Sequence, residues 1–197
     1  MTLTQNLIDL NNIRKFEFKE WALYPGMLFN SPEKWWGNGG VRKTLHEGID
    51  LCFYKDSIGQ THCLKETAII PVMYDGEVVK IHDDFLGKSI YVGHDIYDET
   101  GNQLFSIYGH TEPASDMKRG RLLNEGDIIG SISDIRNRNI GLPSHLHISI
   151  AWLSEKIQYK DINWVTINNK SLATMMDPFD FIECDYTVFT ETVFQKY

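Results

Sequence analysis

The hydrophobic and polar positions of this chain predict a succession of short β-strands joined by polar turns. Runs rich in apolar and β-branched residues are repeatedly bounded by Gly, Asp and Asn, which is typical of an all-β domain. No long amphipathic helical pattern competes with them. The predicted strands cover residues 49–54, 61–64, 68–73, 77–81, 89–97, 104–108, 128–130 and 145–152. The pattern therefore predicts an all-β fold, an antiparallel β-sandwich or barrel-like core of short strands.

Two turns carry the strongest hairpin signals. Tyr74-Asp75-Gly76 separates two predicted strands, and Asp-Gly is favoured in two-residue hairpin turns. Residues 98–102, Asp-Glu-Thr-Gly-Asn, separate the next two strands. We predict a hairpin at each turn. A third hairpin is expected around the turn that contains Gly59, between the predicted strands 49–54 and 61–64.

Length favours one domain with additions at both ends. A chain of 197 residues is long enough to bury a substantial core. We predict an N-terminal extension over residues 1–40 that packs on the core, a β-domain over 41–153, and a C-terminal extension over 154–197 that completes the same domain. In the first segment, the Trp35-Trp36 pair is expected to pack in the core or on its rim rather than flank a groove.

Composition narrows the classes of partner. Hydrophobic residues make up 42% and charged residues 23% of the chain, which is ordinary for a globular protein. The formal net charge of -8 gives no general attraction to phosphates, so no nucleic-acid partner is expected. No apolar stretch reaches the roughly 20 residues of a membrane helix, and no signal-peptide pattern precedes the first predicted strand. The sequence does not indicate an oligomeric state.

Cys52, Cys63 and Cys184 are expected to be free thiols rather than a disulfide framework. They include no CxxC pair. Cys52 and Cys63 are nevertheless placed so that they could face each other across a hairpin.

The stretch His46-Glu47-Gly48-Ile49-Asp50 offers two metal-ligating side chains four positions apart. In a straight strand these side chains would be about 13 Å apart at ~3.3 Å per residue, too far to share one ion. A bend at Gly48 would bring them together, so we predict a loop entering a strand. The alternative is the helical HExxH zinc motif, but Asp50 replaces its second His and Gly48-Ile49 is a poor helix centre.

His145 and His147 could complete such a site, because residues two apart project from the same face of a strand. One could bind the metal while the other faces the open fourth position of a catalytic zinc. The same pair could instead line a neutral polar pocket. His110 alone is better explained as a structural residue.

Three other histidines carry less information. His62 and His82 have no ligand-like neighbours and are expected to be structural, while the strand residue His94 is open to either interpretation.

With HxGxD at His46, YGH at Tyr108, GDIIG at Gly126 and SHLH at Ser144, in this order, the sequence resembles the lysostaphin/LytM-type zinc metallopeptidases. The resemblance runs from about residue 40 to residue 152, so the segment 41–153 would be the metallopeptidase-like domain. Asp177-Pro178-Phe179 is similar to a closing segment often seen in that family.

The resemblance implies that His46, Asp50 and His147 ligate zinc in a cleft of the β-fold. It implies that His110 and His145 are the catalytic residues that line the water site. The expected activity is a zinc endopeptidase that cleaves peptides of peptidoglycan cross-bridges or stems, at the cell envelope or outside the cell, although the chain shows no export signal.

Two alternatives of other classes stay open. One is a non-catalytic β-domain that binds cell-wall peptides or serves as a scaffold. The other is a phosphocarrier-like β-domain with two facing histidines, which leaves Asp50 and the third ligand unexplained.

Overall fold

The computed structural model describes residues 1–13, 17–138 and 141–194. The helices among them are α1 (Leu3–Leu10), α2 (Trp164–Ile167) and α3 (Phe179–Ile182). The strands are β1 (Glu20–Leu23), β2 (Ile49–Leu51), β3 (Phe53–Lys55), β4 (Thr61–Cys63), β5 (Ile69–Pro71), β6 (Gly76–Asp83), β7 (Lys88–Tyr97), β8 (Gln103–Pro113), β9 (Leu122–Leu123), β10 (Ile128–Ile132), β11 (Leu146–Leu153), β12 (Ala173–Met176) and β13 (Tyr186–Val188).

Within the described residues these strands form two sheets. The larger has nine strands, with the path β12-β11-β8-β7-β6-β9. Strand β2 pairs with the first half of β11 and β12 with the second half, while β10 bridges β8 and β5. The smaller sheet has the order β13-β1-β3-β4, and its β1–β13 pair is parallel. The predicted all-β fold with antiparallel sheets is confirmed, and the larger sheet is not closed into a barrel.

The long hairpin of β7 and β8 is confirmed at the predicted turn. The Asp98 carboxylate accepts hydrogen bonds from the backbone amides of Thr100 and Asn102. These bonds fix the turn that the polar residues 98–102 predicted.

The hairpin predicted around Asp75-Gly76 is wrong. Strand β5 pairs with β10, and β6 pairs with β7 and β9. The turn is instead held by its neighbours, because Asp75 accepts hydrogen bonds from the Glu125 amide and from the His94 ring. Gly76 is required by close packing, since a Cβ there would lie 2.6 Å from the carbonyl oxygen of Gly93.

The strand predicted over residues 49–54 is interrupted at Cys52. Strand β2 belongs to the larger sheet and β3 to the smaller one, so the chain changes sheets at this residue. The strand predicted over 145–152 begins one residue later, at Leu146. His145 therefore precedes the strand.

Side chains alternate across the larger sheet as the strand pattern predicts. Ile90 and Val92 face the main core, whereas Tyr91 between them faces a second cluster. The main core also contains Leu7 and Trp21 from the N-terminal segment. Residues of the C-terminal segment cover the opposite face: Ile157, Ile162, Ile167 and Ala173. The division of the chain at residues 40 and 153 stays a prediction. Residues 14–16, 139–140 and 195–197 of the three predicted segments lie outside the described residues.

No helix in the described part of the chain is long and apolar enough to cross a membrane.

Candidate metal centre

The register of three adjacent strands determines where the metal-ligating side chains lie. His147 on β11 pairs with Asp50 on β2 and with Gly109 on β8. Strands β2 and β8 flank β11 on opposite sides at this position. Asp50 on β2 and His110, which follows Gly109 on β8, are therefore neighbours of His147. The sheet thereby joins positions that are 97 residues apart in sequence.

His46 reaches the same place through the predicted bend. Residues 46–48 lie outside helices and strands, and β2 begins at Ile49, which confirms a loop entering a strand rather than a helical HExxH motif. Gly48 is needed there for space. A Cβ at this position would lie 2.0 Å from the carbonyl oxygen of Ile148 and 2.7 Å from Ser149 Oγ.

Three ligand atoms converge at this point. His46 Nε2 lies 3.1 Å from His147 Nδ1 and 3.2 Å from Asp50 Oδ1, and the last two atoms are 2.9 Å apart. All three side chains are buried. Ligand atoms in tetrahedral zinc sites lie roughly 3.3–3.6 Å apart, as follows from bond lengths of about 2.0–2.2 Å. The observed triangle is a few tenths of an ångström tighter.

Hydrogen bonds on the far side of each ring leave these atoms free to act as ligands. His46 Nδ1 donates to the Leu28 carbonyl oxygen, 3.0 Å away, so its Nε2 carries a lone pair. His147 Nε2 lies 2.9 Å from Ser149 Oγ, which can accept its proton. Three lone-pair atoms this close repel one another unless a proton or a cation lies between them. A proton bridges one pair, whereas a divalent cation engages all three, so the residues fit a metal.

The Asp50 carboxylate is fixed through its second oxygen. Trp35 Nε1 donates to Asp50 Oδ2 at 2.7 Å, and an Arg42 guanidinium nitrogen lies 3.7 Å from the same oxygen. Burial alone would raise the pKa of Asp50, but the adjacent imidazoles His46, His145 and His147 outweigh it and hold the pKa well below its usual range. Asp50 is therefore ionised at neutral pH.

His145 borders this triad. Its Nδ1 donates to the Pro143 carbonyl oxygen at 2.9 Å, and its Nε2 lies 3.8 Å from Asp50 Oδ1. The ring is 3% exposed, and burial lowers the pKa of His145 to about 4. His145 is thus a neutral imidazole at physiological pH.

His110 enters the site through a bulge in β8. Lys88 and Ile90 on β7 oppose Thr111 and Tyr108 on β8, so β8 has one extra residue there. His110 has φ of +61°, a left-handed conformation that is uncommon for residues other than Gly. Bulges of this kind redirect a side chain, and the His110 ring lies 4.9 Å from the His145 ring between centroids.

Asp84 holds this bulge in place. Its Oδ2 accepts the His110 amide at 2.7 Å and its Oδ1 lies 3.2 Å from His110 Nδ1. It also accepts the amides of Leu86 and Gly87 and the Ser89 hydroxyl. Burial opposes ionisation, but these bonds and the His110 ring lower the pKa of Asp84 far below its usual range.

These side chains line one cleft of about 350 Å³. Its floor contains the metal-ligating triad and the two additional histidines. Trp36, Phe85 and Trp164 form apolar walls, and Phe85 is 72% exposed at the rim. Such a mixture of apolar walls and convergent polar groups is typical of a ligand site.

The structure brings together the five histidine and aspartate residues that the sequence singled out: His46, Asp50, His110, His145 and His147. Their assigned roles stay predictions. Trp35 is buried as expected, whereas Trp36 lines the cleft. His62 pairs with Asp56, His82 is exposed and His94 is buried against Ser106, so these three lie outside the cleft lining.

Sequence reasoning did not identify Asp84, Trp35 or Ser149 as partners of the site. No spacing rule connects them to the histidines, because the contacts depend on a bulge, a loop and a strand register. The Asp83-Asp84 pair before a Gly-containing turn was the one local signal, and it indicates only a turn.

No protein-family model matches the chain, and no curated protein matches it. Among solved structures, the chain is similar to lysostaphin, with a TM-score of 0.47 and 17% identity over 95% of this chain and 57% of that one. It is also similar to a chain of the SpoIIQ–SpoIIIAH complex, with a TM-score of 0.42 and 16% identity over 84% of this chain and 92% of that one.

A third similar structure is a variant catalytic domain of the prophage-encoded protein EnpA from Enterococcus faecalis. The TM-score is 0.37, with 23% identity over 62% of this chain and 82% of that one. The match to lysostaphin spans little more than half of that chain. Sequence identities and TM-scores at this level are too low to transfer an activity from any of these three structures to this chain.

Proposed function

We propose that this protein is a zinc-dependent endopeptidase that hydrolyses amide bonds in peptidoglycan peptides. The observation that carries the proposal is the convergence of three lone-pair atoms, from His46, Asp50 and His147, at the floor of a cleft. The order of the HxGxD, YGH, GDIIG and SHLH motifs supports the substrate class. On this proposal the protein acts at the cell envelope or outside the cell.

His46, Asp50 and His147 would hold the metal. When bound, zinc supplies a Lewis acid and lowers the pKa of water to near neutrality. The cleft walls Trp36, Phe85 and Trp164 would exclude bulk water around a bound peptide.

The two remaining histidines divide the proton transfers in this proposal. His145 is neutral, and its Nδ1 proton is held by Pro143, so its Nε2 is available to accept a proton from the attacking water. His110 Nδ1 lies 3.2 Å from the Asp84 carboxylate, which orients the ring in the cleft. We assign the donation of a proton to the leaving amine to His110, the other histidine of the cleft.

The test measures zinc content and cleavage of purified muropeptides by mass spectrometry. The His147→Ala variant is expected to lose stoichiometric zinc and to lose hydrolysis to background. The His82→Ala variant is the matched control, because His82 is exposed outside the cleft lining. Circular dichroism checks that both variants are folded.

Full activity of folded His147→Ala would overturn the zinc assignment. Zinc bound by the wild type without turnover of any muropeptide would favour the non-catalytic peptide-binding alternative. Transfer of phosphate to a histidine would favour the phosphocarrier-like alternative.

A further inference from the structure

Cys52 and Cys63 form a pair of thiols that the proposed hydrolysis does not use. Their Sγ atoms are 3.2 Å apart, in direct contact. Cys52 lies at the corner where the chain leaves β2 and enters β3, and Cys63 is the last residue of β4. We propose that these two residues are a redox site that closes to a disulfide and opens again on reduction.

The backbone already holds the two residues side by side. Phe53, next to Cys52, pairs with Cys63, and the Leu64 amide donates to the Cys52 carbonyl oxygen at 2.7 Å. A disulfide has an S–S distance of about 2.05 Å. Closing the bond therefore requires the sulfur atoms to approach by little more than 1 Å, within reach of side-chain rotation and a small shift of the edge strand β4.

The two thiols differ in access, which assigns their order of reaction. Cys52 is fully buried, whereas Cys63 is exposed. Cys63 also borders a cavity of about 320 Å³ that opens beside Pro143 and Ser144. Cys63 is the thiol that a soluble oxidant meets, and Cys52 is the one that resolves the product.

The reaction balances with a small-molecule disulfide such as oxidised glutathione as the oxidant. The Cys63 thiolate attacks one sulfur of glutathione disulfide, forms a mixed disulfide and releases one glutathione thiolate. Cys52 sulfur then attacks Cys63 sulfur, and the second glutathione leaves with the Cys52 proton. Two thiols are oxidised to one disulfide, and one glutathione disulfide is reduced to two glutathione molecules.

Oxidation also changes a contact next to the candidate metal centre. The Cys52 thiol donates to the Ser144 carbonyl oxygen at 3.4 Å, and Ser144 directly precedes His145. A disulfide sulfur has no proton to donate. The oxidised form therefore loses this hydrogen bond and gains a covalent link across the corner between the two sheets.

The test counts alkylatable thiols in the folded full-length chain after incubation with oxidised glutathione, removal of the reagent and denaturation. The wild type is expected to fall from three alkylated cysteines to one, with a mass lower by two hydrogen atoms and a peptide map linking Cys52 to Cys63. Dithiothreitol should restore all three thiols.

Two variants separate a specific pair from general thiol reactivity. Cys184→Ser should still lose two thiols, because Cys184 contacts neither of the other two. Cys52→Ser should retain a stable mixed disulfide of glutathione at Cys63. A wild-type chain that keeps three free thiols, that stops at the Cys63 mixed disulfide, or that links Cys63 to a second chain would overturn the proposal.

Discussion

At the scale of single residues, two histidines of the cleft, the proposed ligand His46 and its neighbour His145, are positioned by what each ring does on its far side. His46 and His145 donate one ring proton to a backbone carbonyl, of Leu28 and Pro143 respectively, and direct the other nitrogen toward Asp50. Outer partners of this kind fix the tautomer and the orientation of a ligand. The same histidines with solvent-exposed outer nitrogens would be free to rotate, so the carbonyl contacts are part of the site.

Asp84 gives the first prediction at this scale. Replacing it with Asn keeps the shape, removes the charge that faces His110 Nδ1, and places an amide NH2 group where one Asp84 oxygen accepts a backbone amide. Because Asp84 is absent from the metal-ligating triad, we expect Asp84→Asn to retain zinc while kcat falls by about 10- to 100-fold, the usual cost of losing such an outer partner. Zinc analysis and steady-state hydrolysis measure the two effects separately.

Ser89→Ala is the matched control for Asp84→Asn. The Ser89 hydroxyl donates to Asp84 Oδ2. Removing this hydroxyl leaves the contact between Asp84 Oδ1 and His110 Nδ1 intact. Its loss should change kcat much less than the charge removal does. Equal losses in the two variants would mean that Asp84 supports the local fold rather than positions His110.

At the scale of elements, the site depends on three strands meeting in one register. Strand β11 carries His147 between β2 and β8, and a bulge in β8 turns His110 toward the same cleft. A shift of one residue in any strand pair would turn its side chains to the opposite face of the sheet. The close contact of Gly48 with the backbone of β11 helps to fix this register.

The Gly48→Ala substitution tests that contact. The new Cβ would lie 2.0 Å from the Ile148 carbonyl oxygen, a backbone atom that cannot rotate away. The loop that carries His46 must therefore move off β11. We expect a loss of unfolding free energy of roughly 3 kcal/mol, typical of overpacking, together with weaker zinc binding.

Gly93→Ala provides the comparison in a strand outside the cleft lining. Its Cβ would meet the side chains of Gln103 and Phe105 at 3.2 Å, a much smaller overlap than the 2.0 Å contact at Gly48. Urea unfolding should give a clearly lower free energy of unfolding for Gly48→Ala than for Gly93→Ala. Zinc titration should likewise give a clearly weaker zinc affinity for Gly48→Ala. Unchanged zinc affinity in Gly48→Ala would refute the assigned role of this glycine.

At the scale of the whole molecule, the sequence predicts the strands better than their pairing. Alternation such as that of Ile90, Tyr91 and Val92 identifies strands because each face of the larger sheet packs on its own apolar cluster. The Asp75-Gly76 turn misleads because residues distant in sequence, such as His94 and Glu125, bind it. Turn chemistry is local, whereas the choice of partner strand is not.

The same distinction applies to the candidate site. The spacing of His46 and Asp50 required a bend, and the bend is present. Asp84 was not predictable because it meets His110 across 26 residues and through a bulge. Short motifs thus indicate which side chains can share a metal, while the residues that position them depend on tertiary contacts.

Buried neutral histidines make the stability of the whole chain depend on pH. Burial lowers the pKa of His145 to about 4 and also lowers the pKa of His94, against about 6.5 in an unfolded chain. Between these values the unfolded state binds more protons than the folded state. The free energy of unfolding of the metal-free protein should therefore fall as pH decreases from about 6.5, and the His145 contribution should be complete below about pH 4.

For His145 the full effect is about 3 kcal/mol, at 1.36 kcal/mol per pKa unit. Urea unfolding of metal-free protein at pH 7.5 and pH 4.5 measures most of this effect, since a bound metal would add its own pH dependence. His145→Gln removes the titrating group and should flatten the profile, whereas His82→Gln, at an exposed position, should leave it unchanged. If His145→Gln loses as much stability on acidification as the wild type, His145 is not held neutral by burial. Its role as a proton acceptor would then lose its physical basis.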